Sequence, residues 1–329
     1  MCRDSERGSE VRALVVDDGA LRVEQRPDPT PGTSEVIVAV TGAGLNGADM
    51  LQRRGFYPAP PGSPEDIPGL EFAGEIVALG SGVTSWRVSQ RVMGIVGGGA
   101  QAEFLCVDET HLLHVPEGVD DSSAGGFPEA FTTAHDAVIT QGSLGFGERL
   151  LVTGAAGGVG TAAIQIGRLF GAHVTASVRD LNMADRLSTL GADVVIQPDD
   201  VTSQGPYDVV LELVGAASLE NGVLDSLATN ARVVVIGVGG GASTELNLLK
   251  LMATRSSLRA STLRARTREE KAFVTDAIRR DLLLAFGDGR LIVPIEATYP
   301  LDQATTAYDQ FVAGGKFGKI VLLLKSEAT

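Results

Sequence analysis

Seven consecutive residues, Gly154-Ala-Ala-Gly-Gly-Val-Gly160, hold the clearest chemistry in this chain. Residues 149–153 before them form a short apolar run with β character. From Val159 the apolar positions Val159, Ala163, Ile166 and Phe170 recur at helical spacing. A strand, a glycine turn and a helix in that order make a place for a dinucleotide. The turn must be tight, and Gly157 lacks a Cβ that would hold a pyrophosphate away from the backbone. Gly160 lets the helix pack close to the strand, and the N–H groups at the helix start face the phosphates. No charged side chain is needed for that contact, so Gly154, Ala156, Gly157, Gly158, Val159 and Gly160 are the expected cofactor contacts.

The elements around this turn repeat the alternation. Residues 173–178, 193–196, 207–213 and 231–236 read as further strands, and 182–190 and 219–227 as helices. Wholly apolar strands separated by helices indicate a parallel sheet covered on both faces. The second strand ends Ala176-Ser-Val-Arg-Asp180, and NAD enzymes usually place an acid there to accept the ribose hydroxyls. Val178 occupies that place. Ser177 and Arg179 can instead bind a 2′-phosphate, which favours NADPH, although Asp180 can pair with Arg179 or take the ribose itself. Farther on, Gly237-Val-Gly-Gly-Gly241 follows a strand, and Gly237 and Val238 are expected beside the nicotinamide unless this is a loop without contact. Lys316 and Lys319 are placed to reach the phosphates across the cleft.

With 329 residues the chain can form two ordinary domains. Before the glycine turn, residues 11–16, 21–25, 35–41, 71–79 and 101–107 are short strand candidates separated by Gly, Pro and Asp turns, a small antiparallel β domain. Residues 120–141 look helical and carry the chain onward. After the parallel unit come a long amphipathic helix (266–285), an extended segment (292–299), a helix (301–313) and a last strand (319–324). The final segment has the texture of the first domain. The expected division is therefore a mobile tail (1–10), a β-rich domain (11–125 and 266–329) and a nucleotide domain (126–265), with the active site between the two domains. A net charge of −14 disfavours nucleic acids and anionic membranes as partners. Two cysteines, Cys2 and Cys106, make no disulfide framework, and no apolar run reaches a membrane span, so a cytoplasmic protein is expected.

Residues Ala43-Gly-Leu-Asn-Gly-Ala-Asp49, Leu51-Gln-Arg-Arg-Gly-Phe-Tyr-Pro58 and Pro68-Gly-Leu-Glu-Phe-Ala-Gly-Glu75 resemble the medium-chain dehydrogenase/reductase superfamily, and within it the zinc-independent quinone oxidoreductases. Pro128-Glu-Ala-Phe-Thr-Thr133, Gly157-Gly-Val-Gly-Thr-Ala-Ala-Ile-Gln165, Ser261-Thr-Leu-Arg-Ala-Arg266, Glu270-Lys-Ala272 and Gly318-Lys-Ile-Val-Leu322 narrow the resemblance to the p53-inducible quinone oxidoreductase-like subfamily. It runs from about residue 11 to 324, in family order. It implies an α/β protein with a GroES-like β-rich catalytic domain and a Rossmann doubly wound parallel-sheet domain, NADPH, and a homodimer. It also implies first contacts for Asn46 and Tyr57, a nicotinamide neighbour in Thr133, and carboxamide contacts in the segment from Ser261 to Arg264, at Ser261, Thr262 and Leu263 above all. Each has a plainer alternative. Asn46 can cap the turn before Ala48, Tyr57 can simply wall the cleft beside its prolines, and Thr133 can bond back to its own helix. Asp49 and Arg53 read as an ion pair beside the cleft.

The sequence departs from the family's zinc members. Asn46 stands where their catalytic cysteine would be, and Leu70 where a histidine would be, and neither side chain holds Zn²⁺. Cys106, His111 and His114 make the one tempting trio, and edge residues after a strand are the simpler reading. No metal is expected. The hydride acceptor must then be electrophilic already, which fits quinones and α,β-unsaturated carbonyls and not simple alcohols. An enoyl-thioester or pathway-specific enone reductase shares that chemistry. A low-turnover, NADPH-binding redox sensor shares only the fold. Departures from the subfamily at Met183, Pro198 and His135 bear on the adenine site and the acceptor pocket.

Overall fold

The structure is a computed structural model that describes residues 10–324. The expected mobile tail falls outside the described residues except for Glu10, which opens the first strand. A hairpin of β1 (Glu10–Asp17) and β2 (Ala20–Pro27) turns at Asp18 and Gly19, both at positive φ. It is followed by β3 (Glu35–Gly44), α1 (Gly47–Arg53), β4 (Glu71–Leu79), β5 (Arg91–Ile95), β6 (Phe104–Asp108) and β7 (Leu112–His114). Two short helices, α2 (Asp121–Gly126) and α3 (Pro128–His135), lead into an alternating unit. Its elements are β8 (Arg149–Val152), α4 (Gly158–Leu169), β9 (His173–Ser177), α5 (Ala184–Leu190), β10 (Val194–Ile196), α6 (Val201–Gln204), β11 (Tyr207–Glu212), α7 (Ala216–Glu220), β12 (Leu227–Val235), α8 (Leu248–Thr254) and β13 (Ser257–Ala260). The chain closes with α9 (Arg268–Asp281), α10 (Leu283–Gly287), β14 (Ile295–Pro300), α11 (Ala304–Ala313) and β15 (Lys319–Leu323).

The alternating unit forms a six-stranded parallel sheet in the order β10-β9-β8-β11-β12-β13. That is the doubly wound order, whose direction reverses between β8 and β11. The second sheet runs β14-β15-β3-β4-β5-β7, with β6 also on β3, and is antiparallel except for β14 with β15. The last two strands therefore return to the sheet made by the first part of the chain. The two layers meet around stacked rings, Phe127 on Phe131 at 4.3 Å and on Phe286 at 4.1 Å between centroids.

Several elements differ from the sequence pattern for identifiable reasons. Residues 120–141 are not one helix, because Pro128 has no N–H to continue the ladder and instead starts α3 at its first position. The end of this run widens into a π-helix at Asp136–Gln141. The helix expected over 219–227 stops at α7, where Gly222 turns left-handed at φ 93°, and Leu227 already begins β12. Residues 266–285 split at Leu282. The first part starts at Thr267, where the Thr267 and Glu270 side chains close a capping box. Strands β5 and β7 escape the pattern because one carries Gly94 and the other has three residues.

Candidate active site

The carboxyl ends of the parallel strands face α1 and the β3–β4 edge across a cleft of about 800 Å³. The glycine turn forms one wall. A Cβ on Gly157 would meet only the Gly154 carbonyl at 3.6 Å, so this residue opens the backbone to an approaching phosphate. A Cβ on Gly160 would lie 2.6 Å from the Ala155 carbonyl oxygen, so here the glycine serves packing between turn and helix. Gly318 latches the turn from the other layer, donating its N–H to Ala156 O at 2.8 Å. These residues fit a dinucleotide pyrophosphate: an open glycine backbone leading into the twelve-residue helix α4.

Opposite the turn lies a buried polar cluster. Lys319 reaches from the start of β15 and donates to Leu45 O (2.8 Å), Asn46 Oδ1 (2.7 Å) and Glu71 Oε1 (2.5 Å). Asn46 Nδ2 donates to the same Glu71 oxygen at 2.9 Å. Lys319 and Glu71 are 3% and 0% exposed, so this pair is isolated from water. Asp49 takes the N–H groups of Asn46 (2.7 Å) and Gly69 (3.0 Å), and burial raises its pKa to about 6 against those bonds. It makes no ion pair with Arg53, whose guanidinium bonds Gly19 O and approaches Asp309.

A second tie crosses the cleft mouth. The Tyr57 hydroxyl lies 2.6 Å from Thr262 Oγ1, and Arg264 donates to Tyr57 O, Gly97 O and Gln52 Oε1 while standing over the Tyr57 ring. Ser261 is held by Gln141 and Arg266, and Arg266 pairs with Asp136 at 2.5 Å. The segment after β13 is thereby fixed against both layers.

The cleft brings together Asn46, Tyr57, Thr133, Gly154, Gly157, Gly158, Val159, Gly160, Gly237, Val238, Ser261, Thr262 and Leu263. Four of the expected cofactor contacts lie elsewhere. Lys319 is corrected, since all three of its donors are spent in the buried cluster and none is free for a phosphate. Lys316, with its ammonium over Phe311, lines the cleft instead. Ala156 contributes its carbonyl to the Gly318 latch. Buried Ser177 and exposed Arg179 stand at the end of β9, next to the turn and outside the cleft. His135 is buried against Asp281 at 3.0 Å and does not shape the acceptor pocket. Cys106, His111 and His114 go to different partners: Glu35, Arg268 O and the Trp86 ring.

Sequence reading missed Glu71, Glu129 and Asp136 as members of this site, and placed Arg264 in the carboxamide segment without its ties to Tyr57, Gly97 and Gln52. Glu71 at the start of the largely apolar β4 and Glu129 at the head of α3 were the available signals.

Comparison with known proteins first defines the class. Residues 32–117 match the alcohol dehydrogenase GroES-like domain and residues 158–279 the zinc-binding dehydrogenase domain. A crystal structure of an alcohol dehydrogenase superfamily protein from Novosphingobium aromaticivorans superposes with a TM-score of 0.85 at 26% identity, covering 96% of this chain and 100% of that one. Curated relatives are more particular. A quinone oxidoreductase from Lama guanicoe is 31% identical over 310 residues, 90% of this chain and 91% of that protein. A chloroplast envelope quinone oxidoreductase homolog from Arabidopsis thaliana is 29% identical over 323 residues, 92% and 94% of the two chains. The chain belongs to the medium-chain dehydrogenase/reductase superfamily, as a quinone oxidoreductase-like oxidoreductase that uses a nicotinamide dinucleotide. Among the described residues no helix is long and apolar enough to cross a membrane.

Proposed function

We propose that the chain is an NADPH-dependent, metal-free reductase of quinones or α,β-unsaturated carbonyls. The observation that carries this reading is the engagement of Asn46. Its amide is held on both sides by Lys319 and Glu71, and the neighbouring wall is the aliphatic Leu70. Asn46 and Leu70 supply neither thiolate nor imidazole, and the Glu71 carboxylate beside them is already taken by Lys319, Asn46 and the Glu129 N–H. The acceptor must therefore bring its own electrophilic carbon or quinone ring. The cofactor supplies the hydride, and the chain orients the acceptor in the cleft. Thr133, and the Tyr57 hydroxyl when it accepts from Thr262 Oγ1 and keeps its own proton free, can donate to a developing oxyanion.

NADPH is supported by the end of β9. Asp180 turns its carboxylate to the Asn182 N–H at 3.0 Å, and among the described residues Arg179 forms no ion pair, so its charge is available to a 2′-phosphate. A homodimer accords with β13, whose outer edge is unpaired among the described residues, beside the exposed Leu248, Leu249 and Met252 of α8.

The test is oxidation of NADPH and NADH, followed by nicotinamide absorbance, against an ortho-quinone, a para-quinone, an enone and an enoyl-thioester. Turnover with NADPH is expected, and Arg179→Ala should raise the KM for NADPH about tenfold or more while leaving that for NADH unchanged. Tight NADPH binding without oxidation by any acceptor would instead identify a non-catalytic binder.

A further inference from the structure

Among the described residues, one carboxyl in the cleft has no hydrogen-bond or ion-pair partner. Glu129 is the second residue of α3, and its N–H donates to Glu71 Oε2 at 2.8 Å, which fixes the head of the helix. Its side chain lines the cleft, and Thr133, one helical turn on, lines the same wall. The other nearby acids are committed. Glu71 holds Lys319, Asn46 and the Glu129 N–H; Asp49 holds two backbone N–H groups; Asp136 holds Arg266 and Gln141. Among the described residues no hydrogen bond engages the Glu129 carboxyl.

We propose that Glu129 is the general acid that protonates the α-carbon of a conjugated carbonyl acceptor, which rests on the reductase reading above. The acceptor's β-carbon gains a hydride from the reduced nicotinamide, forming a C–H bond, and the displaced π pair makes an enolate. The enolate pair then takes the Glu129 proton to form the α C–H bond, leaving a carboxylate that recovers its proton from water. The sum is one C=C bond reduced, one reduced nicotinamide oxidised and one proton consumed. Protonation at carbon is slow without a positioned acid, whereas the oxygens of a reduced quinone exchange protons with water rapidly. Glu129 therefore matters for enones and not for quinones.

The surroundings keep this acid charged with its proton. Burial and Glu71 on β4 raise its pKa to about 8, with Asp49 on α1 adding to them, while Lys319 on β15 and Lys271 on α9 oppose. Arg264 faces the same group.

The experiment compares wild type with Glu129→Gln, which keeps the shape and removes the proton. With an enone, kcat should fall on the order of 100-fold or more, with the Kd for NADPH unchanged by fluorescence titration. The wild-type enone rate should decline as pH rises past about 8, the acid form being the active one, and the variant should lose that limb. Quinone reduction by the wild type should lack that limb. Independently of turnover, the free wild type should show an infrared band of a protonated carboxyl that titrates near pH 8 and is absent in the variant. Equal enone rates and pH profiles in the two proteins would overturn the proposal and leave the reductase reading standing, as would reduction of quinones alone. Failure of the wild type to reduce any acceptor would bring down the reading and the proposal together.

Discussion

At the scale of the residue, Lys319 shows how position changes the meaning of a charge. A lysine near the end of the chain, opposite a phosphate loop, reads as a phosphate ligand. In the fold its ammonium is enclosed by Leu45 O, Asn46 and Glu71, and it neutralises a carboxylate that is 0% exposed. Lys319→Met leaves that carboxylate buried without its counter-charge, held only by the Asn46 amide and the Glu129 N–H, so a loss of about 3–5 kcal/mol is expected in urea unfolding. Glu71→Gln in the same chain should restore much of it, because the lone buried charge is gone. A phosphate-binding role predicts the opposite, near-normal stability and a raised Kd for NADPH.

At the scale of the element, the glycine turn divides its labour. Gly157 faces open space at φ −75°, a conformation any residue adopts, so Gly157→Leu should fold with an unchanged Tm. The added side chain would fill the approach to the backbone, and NADPH binding should be lost in a fluorescence titration. Gly160→Ala is the reverse case. Its methyl would meet the Ala155 backbone at 2.6 Å, so overpacking of about 1–3 kcal/mol is expected in thermal melts, with weaker binding following from the displaced turn. Measuring both quantities on both variants separates the glycine that makes room for a ligand from the one that makes room for a helix. The strand–turn–helix order was legible because its apolar period changes from a strand's to a helix's within a few residues. The break at Pro128 was also written in the sequence, yet a pattern of apolar residues running through it concealed the proline's effect.

For the whole molecule, the six-stranded sheet ends at β13, and the flanking helix α8 presents Leu248, Leu249 and Met252 at 65%, 73% and 70% exposure. An unpaired edge beside exposed apolar side chains is a surface for a second copy to cover. Sedimentation should give twice the chain mass at micromolar concentration, and the double variant Leu249→Glu with Met252→Glu should sediment as a monomer. Retained dimerisation in that variant would place the interface elsewhere.

The sequence by itself determined the alternation of strands and helices, the glycine turn and the family motifs, since local spacing and composition specify these without reference to distant residues. Ser261, Thr262, Leu263, Asn46, Tyr57 and Thr133 were legible for the same reason, each lying in a motif that keeps its place in one cleft. Only the tertiary structure decided which charges the cleft leaves free. Lys319 comes from β15, Glu71 from β4, Asn46 from the head of α1 and Glu129 from α3, and nothing in their sequence spacing says that they meet. Burial and pairing in this cluster depend on contacts between segments up to 274 residues apart. Those contacts decide which charges are paired and which are not, and so they spend Lys319 on Glu71 while burial raises the pKa of Glu129 to about 8.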